Sequence, residues 1–365
     1  MLSQQEQLLC GQPVGVGNPP FVIAELSANH NGNIDIAFDI IRHAAAAGAK
    51  ALKFQHYTPD TITIKSPLPE FKVSGGTLWD GTQLYDLYAE AMTPWEWTAD
   101  LVALCDEVGI SWFSSPFDPS AVDFLEGFDI PAYKVASFEI VDLPLIEYMA
   151  RTGKPLVIST GMATLDEIDR AVEAAERGGC SQPILLRCNS AYPAEPSEMD
   201  LAAIPFMRHR YGCEVGLSDH TMGSTAAVTA VGLEATIFEK HITIERDAGG
   251  ADAAFSADAK EFGQFVSDVT TAWESMGTPR FGPSPKESAS LAFRRSLRTT
   301  RHIAAGEVIG PGDIRSMRPA GGLGPEHLSS VIGQQAIADL EVGQAVTWDV
   351  VSEPGIDRQP LKDGR

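Results

Sequence analysis

Short apolar runs recur along the first two thirds of the chain, and stretches with helical spacing of apolar residues separate them. Each run is short and rich in branched or aromatic residues, which is typical of strands buried on both faces. We count eight such runs, at residues 21–26, 51–56, 111–117, 132–137, 155–160, 183–188, 214–219 and 236–241. Strands that alternate with helices predict an α/β fold with a parallel sheet.

The separating stretches carry signals of helix boundaries. Apolar residues at helical spacing extend from 34 to 47, and Gly48 follows them as a typical terminating glycine. Thr164 precedes Glu167 by three residues, which is the spacing of a capping box and predicts a helix within 162–178. Pro94 follows Thr93, so we expect another helix there with Thr93 as its N-cap.

Eight strand–helix units fit a closed (β/α)8 barrel, the TIM barrel, which we assign to residues 1–280. The alternative is a doubly wound open sheet, which usually has fewer strands and often a glycine fingerprint. No G-x-G-x-x-G follows the first run, so the barrel is favoured. The longest piece without alternation, residues 58–88, follows the second strand. We expect it to be a lid or substrate wall, a linker being the alternative.

The alternation stops near residues 277–286, where proline and glycine concentrate as they do at domain boundaries. We assign residues 281–295 to a linker, 296–352 to a small second domain and 353–365 to a tail. The second domain shows short strands and turns, and it is too small for a second catalytic centre. We expect it to serve binding or assembly.

Composition narrows the class of partner. The 365 residues are 44% hydrophobic and carry a net charge of -22, which argues against nucleic acids and anionic membranes because both attract a basic surface. The five cysteines form no C-x-x-C pair, and their odd number is a poor fit to a disulfide framework. Neither a signal peptide nor an apolar run of about 18 residues is evident. We therefore expect a cytoplasmic protein with reduced thiols.

Polar side chains lie at the carboxyl end of nearly every predicted strand, where barrel enzymes place their chemistry. A single serine or asparagine at such a position usually caps a helix or forms a turn. The collection is more informative, because together these ends would surround one mouth and bind a small polar ligand. The strand-end groups are Glu25, Lys53, Gln55, Ser114, Ser115, Asp118, Lys134, Ser137, Glu139, Ser159, Thr160, Asn189, Ser190, Tyr192, Ser218, Asp219, His220, Glu239 and His241.

The last predicted strand ends in three ionisable residues, Glu239, Lys240 and His241. Residues two apart on a strand face the same way, so Glu239 and His241 should share a face that Lys240 does not. His220 ends the neighbouring strand about 4.8 Å away. Two imidazoles there suit a divalent metal, but hydrogen-bonded core histidines fit the spacing equally. A closed barrel would also bring Glu25 close to Glu239.

Two lysines, Lys53 and Lys134, lie within apolar strands. They are either Schiff-base nucleophiles or charges that bind phosphate and carboxylate. Small hydroxyl donors near the strand ends favour anion binding, and these are Ser115, Ser137, Ser159, Ser190 and Ser218. No P-loop, H-E-x-x-H, G-x-S-x-G or dinucleotide motif is found, so chemistry that uses ATP or NAD is not expected.

Seven motifs together resemble the sialic acid (nonulosonic acid) synthase family, and most closely its pseudaminic acid synthase branch. They are "IAELSANHNG", "ALKFQHYTPDT", "FSSPFD", "AYKVASFEI", "VISTGMATLDEI", "GLSDHT" and "EKHITIERDAGGADAAFS". The stretch "RRSLRTTRHIAAGEVIGPGDIRSMRPAGGLGP" resembles the family's C-terminal antifreeze-like (SAF, β-clip) domain. The resemblance extends over residues 21–351, with its motifs in order.

The resemblance implies a carbon–carbon bond-forming transferase that condenses phosphoenolpyruvate with the open aldehyde form of an N-acetylated amino sugar. The products would be a nine-carbon 2-keto acid and phosphate, released by cleavage of the C–O bond of phosphoenolpyruvate. A divalent metal, Mn2+ or Mg2+, would be required. The implied sugar is 2,4-diacetamido-2,4,6-trideoxy-altrose. N-acetylmannosamine or a 2,4-diacetamido-2,4,6-trideoxy-mannose, for neuraminate or legionaminate synthesis, is the alternative.

The resemblance also implies residue roles. Glu25 and Glu239 would be catalytic, with Glu25 placing or deprotonating the water that attacks C2. His220 and His241 would be the metal ligands. Phosphoenolpyruvate would be bound by Lys53, Ser115, Lys134, Ser137, Ser159, Ser190 and Ser218, and the sugar by Gln55, Tyr192, Asp252 and Arg318. Arg318 would reach the partner subunit's site, which implies a domain-swapped homodimer.

Two departures from the family pattern affect these expectations. Asn189 stands where threonine is common, so either Asn189 or Ser190 contacts phosphoenolpyruvate. His56 stands where threonine is common, and we expect it in a loop at the sugar pocket, not as a third metal ligand. Two other functions remain open, a Schiff-base aldolase acting on pyruvate and a sugar-binding protein without catalytic activity.

Overall fold

A small antiparallel hairpin opens the described part of the chain, before the barrel. The computed structural model describes residues 7–74 and 79–352, and the hairpin consists of β1 (Gln7–Leu9) and β2 (Gln12–Val14). Leu9 and Val14 are buried in the main hydrophobic core. The sequence analysis missed this hairpin, because strands of three residues are too short to establish an alternation.

Eight parallel strands then close into a barrel, which confirms the predicted (β/α)8 architecture. Each predicted apolar run contains one strand, and the first and last strands pair with each other to close the ring. Most of the strand residues are buried, as expected for a sheet covered on both faces. The strands are β3 (Phe21–Glu25), β4 (Ala51–His56), β5 (Ser111–Pro116), β6 (Tyr133–Val135), β7 (Leu156–Ser159), β8 (Ile184–Cys188), β9 (Val215–Asp219) and β10 (Ile237–His241).

Ten helices accompany this first part of the described chain. Two predicted boundary signals are confirmed: Gly48 ends α1 at a φ of 89°, and Thr164 and Glu167 form a reciprocal capping box at α7. The helices are α1 (Ile34–Ala47), α2 (Pro59–Ile62), α3 (Leu84–Ala91), α4 (Thr98–Val108), α5 (Pro119–Glu126), α6 (Leu143–Ala150), α7 (Leu165–Gly178), α8 (Ala203–Tyr211), α9 (Thr225–Gly232) and α10 (Ala259–Met276).

The prediction that Thr93 caps a helix is wrong. A 3-10 turn, Trp95–Trp97, follows Pro94, and α4 begins only at Thr98. The backbone of Pro94 is extended, with a ψ of 126°, so the helix cannot start there. Among the described residues, the hydroxyl of Thr93 is buried without a hydrogen-bond partner.

The segment at residues 58–88 is more ordered than a loop. Its described part contains α2, a 3-10 turn at Pro69–Phe71 and most of α3. Lys72 and Gln83 form an antiparallel bridge that brings the two sides of the excursion together. The described part of this segment therefore has secondary structure of its own, which a linker would not need.

The chain divides into two compact units, Met1–Gly277 and Thr278–Arg365. The second contains a 3-10 turn at Ser288–Phe293, the antiparallel pair β11 (Ser296–Thr299) and β12 (Ile314–Met317), and the short helix α11 (Leu328–Val331). It has its own hydrophobic core. The tail assigned to residues 353–365 lies outside the described residues. Within the described part, none of the helices has the length and apolarity that crossing a membrane requires.

Candidate active site

A cavity of about 490 Å3 opens at the carboxyl ends of the barrel strands. This volume is in the range of small-molecule sites. Strand ends on one side and the 58–91 segment on the other side form its lining. The predicted position of the site at this face of the barrel, with the 58–88 segment as a wall, agrees with the structure.

Two lysines and two glutamates form a charged cluster at the bottom of this cavity. Lys53 Nζ lies 2.9 Å from Glu25 Oε2 and 3.4 Å from Glu239 Oε1. Lys134 Nζ lies 4.0 Å from Glu239 Oε2. All four side chains are buried, so the attraction between them is little screened by solvent. Closure of the barrel brings Glu25 and Glu239 together around one lysine, as the strand order predicted.

Hydroxyl groups surround the two lysines. Lys134 Nζ donates to Ser159 Oγ at 2.6 Å, and Lys53 Nζ donates to Ser115 Oγ at 3.4 Å. Ser218 Oγ donates to Glu239 Oε1 at 3.3 Å. Ser137 begins the 3-10 turn after β6, which explains how it lies near Lys134 despite the opposite strand parity. Positive charges and small donors therefore converge, as an anion site requires.

Ser190, not Asn189, faces this hydroxyl cluster. The side-chain amide of Asn189 donates to the carbonyl of Glu198 at 3.0 Å, and its side-chain oxygen accepts from the amide of Ala191 at 2.9 Å, so both ends of the side chain have partners within the loop after β8. Ser190 Oγ is buried without a hydrogen-bond partner among the described residues. A methyl group on Gly161 would clash with Ser190 Oγ and would lie 2.8 Å from Ser137 Oγ. The absence of a side chain at Gly161 thus lets the hydroxyls of Ser190 and Ser137 pack closely against its backbone.

His220 and His241 meet above the charged cluster, with ring centroids 5.2 Å apart. His220 directly follows β9 and His241 ends the adjacent strand β10, where it shares its face with Glu239 as predicted. Tyr192 packs against His220 at 4.5 Å between centroids, and Phe255 packs against His241 at 5.0 Å. The two imidazoles are therefore held in position by aromatic side chains.

The two histidines offer nitrogen ligands that suit a divalent metal. His220 Nδ1 lies 2.7 Å from the carbonyl of Asn189, so Nδ1 carries the proton and the other ring nitrogen remains a lone-pair donor. His241 Nδ1 is buried with no hydrogen-bond partner in the described part of the chain. Burial lowers the pKa of His241 well below its usual value, which keeps the ring neutral. No group of three or more metal-binding side chains exists among the described residues.

A chain of polar contacts leads from the charged cluster to the loop after β10. Gln55 Nε2 donates to Glu25 Oε1 at 2.8 Å and to Ser27 Oγ at 3.0 Å. Ser27 Oγ in turn donates to Asp252. The glycine-rich loop therefore brings Asp252 back over the mouth of the barrel. Gln55, Tyr192 and Asp252, predicted for sugar binding, all line the cavity together.

Burial shifts the pKa of the acids in this site. It raises the pKa of Glu25 to about 7, although the neighbouring Lys53 opposes the shift. Burial would also raise the pKa of Glu239, but Lys134 and Lys53 outweigh it and hold that pKa below its usual value. Burial raises the pKa of Asp252 as well. Glu25 is thus an acid that can exchange a proton near neutral pH, while Glu239 stays ionised between two lysines.

Lys240 points away from the cavity, as the alternation predicted. Its Nζ donates to Asp219 Oδ2 at 2.9 Å and to the carbonyl of Gly223 at 3.2 Å, and it also donates to the carbonyl of Thr221. It lies 5.3 Å from the ring centroid of Phe265 in α10. Asp219 therefore belongs to a buried structural ion pair and does not line the cavity.

The predicted position of His56 is wrong. His56 is the last residue of β4, not a loop residue, and it faces the helix layer. Its ring nitrogens lie 2.7 Å from Ser114 Oγ and 2.9 Å from Thr98 Oγ1, in the buried layer outside the barrel. The predicted strand at 51–56 already included His56, and its strand parity, opposite to that of Lys53, places its side chain in the layer outside the barrel and not at the sugar pocket.

Some cavity residues had no predicted role, although Glu139 was among the predicted strand-end groups. Ser27 has a φ of 48°, uncommon for a residue with a side chain, and no sequence signal marks it. Glu139 lines the cavity, and burial raises its pKa to about 7. Cys188 Sγ lies 3.8 Å from His220 Nδ1. Burial raises the pKa of Cys188, but His220 outweighs it and brings the value to about 7.

Arg318 belongs to the second unit, where it is exposed beyond the end of β12. It is not among the residues that line the cavity. Its predicted role in a partner subunit's site therefore stays a prediction.

Two protein families match this chain, one in each of its two units. Residues 40–280 match the NeuB family, and residues 294–352 match the SAF domain. The predicted small C-terminal domain is thereby confirmed as a SAF domain.

Individual relatives cover nearly the whole chain. The pseudaminic acid synthase of Campylobacter jejuni is 39% identical over 89% of this chain and 95% of its own length. The N,N'-diacetyllegionaminic acid synthase of Legionella pneumophila is 29% identical over 93% of this chain and 96% of its own. Among solved structures, the N-acetylneuraminic acid synthetase of Leptospira borgpetersenii in complex with citrate has a TM-score of 0.68 and 30% identity, covering 79% of this chain and 95% of that one.

Proposed function

This chain belongs to the NeuB family and is a synthase of the sialic acid type, and from that premise we propose that it is a pseudaminic acid synthase. It would condense phosphoenolpyruvate with 2,4-diacetamido-2,4,6-trideoxy-altrose to give pseudaminic acid and phosphate. The observation that carries the chemistry is the buried cluster of Lys53, Lys134, Glu25 and Glu239 beneath a pair of histidines. The choice of sugar is favoured by the identity of 39% to a pseudaminic acid synthase, against 29% to a legionaminic acid synthase.

Phosphoenolpyruvate would bind at the two lysines. Its phosphate and carboxylate are both anionic, and Lys53 and Lys134 supply two buried positive charges. Ser115, Ser137, Ser159, Ser190 and Ser218 would donate hydrogen bonds to the oxygens. The buried Ser190 Oγ, which has no hydrogen-bond partner among the described residues and lies beside Ser137 Oγ at Gly161, supports this assignment. Binding there would fix carbon C3 of phosphoenolpyruvate toward the histidines.

The sugar would bind between the histidines and the loop after β10. Gln55, Tyr192 and Asp252 would orient its open-chain form, in which carbon C1 is an aldehyde. His220 and His241 would hold a divalent ion, Mn2+ or Mg2+, whose chemistry when bound is Lewis-acid polarisation of the aldehyde oxygen. Carbon C3 of phosphoenolpyruvate would then form a bond to the sugar C1, and positive charge would develop at C2.

Water would complete the reaction at C2. Glu25 is suited to accept its proton, because burial raises the pKa of this carboxyl to about 7. Glu239 stays ionised and would stabilise the developing positive charge. The C2–O bond to phosphate then breaks, and the water oxygen becomes the keto oxygen of the product. One phosphoenolpyruvate, one aldehyde and one water thus give one 2-keto acid and one phosphate.

We also propose a domain-swapped homodimer in which Arg318 of the SAF domain binds the sugar in the partner's barrel. The exposure of Arg318 supports this role. A cytoplasmic location is supported by the five cysteines, all of which are free.

The proposal is tested by supplying purified protein with phosphoenolpyruvate, Mn2+ and one of three sugars. These are 2,4-diacetamido-2,4,6-trideoxy-altrose, the corresponding trideoxy-mannose and N-acetylmannosamine. We expect phosphate release with the altrose sugar to have the highest kcat/KM. Fastest turnover of N-acetylmannosamine would instead make the chain a neuraminate synthase, and fastest turnover of the trideoxy-mannose a legionaminate synthase.

Two alternative functions, a sugar-binding protein without catalytic activity and a Schiff-base aldolase, are tested separately. Glu25→Ala should abolish phosphate release while the protein remains folded, which a sugar-binding protein without catalytic activity would not explain. Borohydride reduction in the presence of pyruvate should leave Lys53 and Lys134 unmodified. Covalent labelling of either lysine would instead indicate a Schiff-base aldolase.

A further inference from the structure

Helix α3 turns an apolar stripe toward the cavity. Leu84, Leu87, Tyr88 and Ala91 lie at positions i, i+3, i+4 and i+7, which form one face of a helix. All four line the cavity, yet α3 has no buried residue. In most amphipathic helices the apolar stripe is buried in the protein core. Here the stripe remains half-exposed, and it faces the space where a ligand would sit.

Two more apolar side chains extend this stripe into a wall. Ile62 of α2 and Val73 of the following segment also line the cavity. We call the aliphatic members of this set, without Tyr88, the apolar wall: Ile62, Val73, Leu84, Leu87 and Ala91. It faces the polar strand ends across the cavity, so the two sides of the site differ in chemistry.

The apolar wall is held in place by polar contacts on its outer side. Tyr85 Oη donates to Asp60 Oδ1 at 3.2 Å, which ties α3 to α2. The amide of Val73 donates to the carbonyl of Thr82 at 2.9 Å, and the amide of Gly81 donates to the carbonyl of Val73 at 2.8 Å. These contacts arrange the wall before a ligand binds.

The apolar wall lines the same cavity as Tyr192 and Asp252, the residues proposed to bind the sugar. Trp79 connects the wall to them. The amide of Thr82, whose carbonyl accepts from Val73, donates to the carbonyl of Trp79. The Trp79 ring centroid lies 5.9 Å from that of Tyr192, while its Nε1 donates to the carbonyl of Ala251 at 3.0 Å. Tyr192 packs on His220, and Ala251 precedes Asp252. A sugar held by Tyr192 and Asp252 would therefore present part of its surface to the wall.

Resting on the proposed function, we propose that the apolar wall is a subsite for the methyl groups of a 6-deoxy diacetamido sugar. Its aliphatic side chains offer no hydrogen bond to a hydroxyl group, so a hydroxyl that faces them loses its hydrogen bonds to water. The C6 methyl and the methyl of the C4 acetamido group bury favourably there. The wall therefore selects the class of trideoxy diacetamido sugars against N-acetylmannosamine, which carries hydroxyls at C4 and C6.

The expected size of this preference, as a ratio of kcat/KM values, follows from the usual discrimination by hydrophobic pockets. A hydrophobic pocket discriminates by about 10- to 100-fold in kcat/KM against a substrate that replaces a methyl with a hydroxyl-bearing group. We expect wild-type protein to prefer 2,4-diacetamido-2,4,6-trideoxy-altrose over N-acetylmannosamine by a ratio of this order. The difference should lie mainly in KM for the sugar, since the wall does not touch the reacting carbon.

The experiment compares this ratio in wild type, Leu84→Asn, Leu87→Asn and Val73→Thr. The replaced side chains are half-exposed, and Val73→Thr keeps the shape, so the variants should fold. We expect each to reduce the preference for the trideoxy sugar by about 3- to 10-fold. The KM for phosphoenolpyruvate should remain unchanged. Val228→Asn, on the outer helix α9 and away from the cavity, is the matched control and should leave the ratio at the wild-type value.

The outcomes separate this inference from the proposed function. Phosphate release with neither sugar would overturn the proposed function itself. Turnover of both sugars with equal kcat/KM in wild type would retain the synthase and overturn the subsite. A wild-type preference that all three wall variants preserve within twofold would overturn it as well.

Discussion

Glu239, Lys240 and His241 are consecutive in the chain, yet each has a different environment. Glu239 lies between two lysines at the bottom of the cavity, and His241 faces His220 at its mouth. Lys240 forms a buried ion pair with Asp219 on the outer side of the barrel. Alternation along the strand therefore places the two side chains proposed for the reaction on the inner face and the structural lysine on the outer face.

Replacing Lys240 should damage stability more than catalysis. Lys240→Met leaves Asp219 buried without its partner, so we expect a loss of about 3–5 kcal/mol in the free energy of unfolding. His241→Ala should leave the urea midpoint nearly unchanged but reduce kcat/KM by at least about 100-fold, because a metal ligand is lost. Urea titration and phosphate release measure the two effects.

The control for these two variants is to assay them at a temperature at which both are folded. Phosphate release by Lys240→Met is therefore measured at a temperature at which circular dichroism shows that this variant is folded. If the folded variant is as inactive as His241→Ala, the assignment of Lys240 to a structural role is wrong.

His56 should make stability depend on pH. Burial lowers its pKa to about 3, compared with about 6.5 in an unfolded chain. The unfolded state therefore binds more protons between these values, and stability falls as pH decreases from about 6.5 toward 3, by up to about 1.4 kcal/mol per pH unit. His56→Gln should reduce this slope in urea titrations at successive pH values. His209→Gln, at an exposed position of α8, should not, and an unchanged slope in His56→Gln would contradict the prediction.

The sequence predicted the position of an individual side chain where strand parity decides which face of the barrel it points to. Parity correctly distinguished Glu239 and His241 from Lys240, but His56 was expected in a loop at the sugar pocket although it ends the predicted strand at 51–56. Ser27 could not have been found, because its role depends on a left-handed backbone and on Asp252, 225 residues away.

Among elements, the eight barrel strands were predicted because each is a continuous apolar run between helical stretches. The wall helix α3 was not, although Leu84, Leu87, Tyr88 and Ala91 have the required spacing. Neighbouring prolines and glycines made the segment resemble a loop. The spacing alone also does not reveal that the stripe faces a cavity and not the core.

The turn after β7 should be sensitive to a single methyl group. Gly161→Ala would place a carbon against Ser190 Oγ and Ser137 Oγ, two of the hydroxyls proposed to bind phosphoenolpyruvate. We expect the KM for phosphoenolpyruvate to rise by about 10-fold or more, since displaced donors no longer meet its oxygens. The KM for the sugar should change much less.

Gly263→Ala in α10 is the matched control, because a methyl group there meets no atom within 4 Å. It should leave both KM values unchanged. Equal effects of the two substitutions, or an effect of Gly161→Ala on the sugar alone, would contradict the assignment of this turn to phosphoenolpyruvate.

At the scale of the molecule, the chain joins a barrel that contains the cavity to a SAF domain with a separate core. The sequence predicted both, since the alternation of strands and helices stops where proline and glycine concentrate. It could not predict the subunit to which Arg318 contributes, because that depends on assembly.

Subunit complementation tests this assembly. Arg318→Ala and His241→Ala should each be inactive alone, but co-expressed chains should recover about a quarter of wild-type activity. Half of a random mixture is heterodimer, and each heterodimer has one site with an intact barrel and the partner's intact arginine. Recovery near zero would show that Arg318 acts within its own subunit, and an active Arg318→Ala homodimer would show that Arg318 is not needed in the site.

The most direct test of the central claim is the fate of the oxygen that bridges C2 and phosphorus in phosphoenolpyruvate. The protein is supplied with phosphoenolpyruvate labelled with 18O at this position, together with 2,4-diacetamido-2,4,6-trideoxy-altrose and Mn2+. The account predicts that mass spectrometry finds the label in the released phosphate, because water attacks C2 and the C–O bond breaks. Label retained in the keto acid would contradict it.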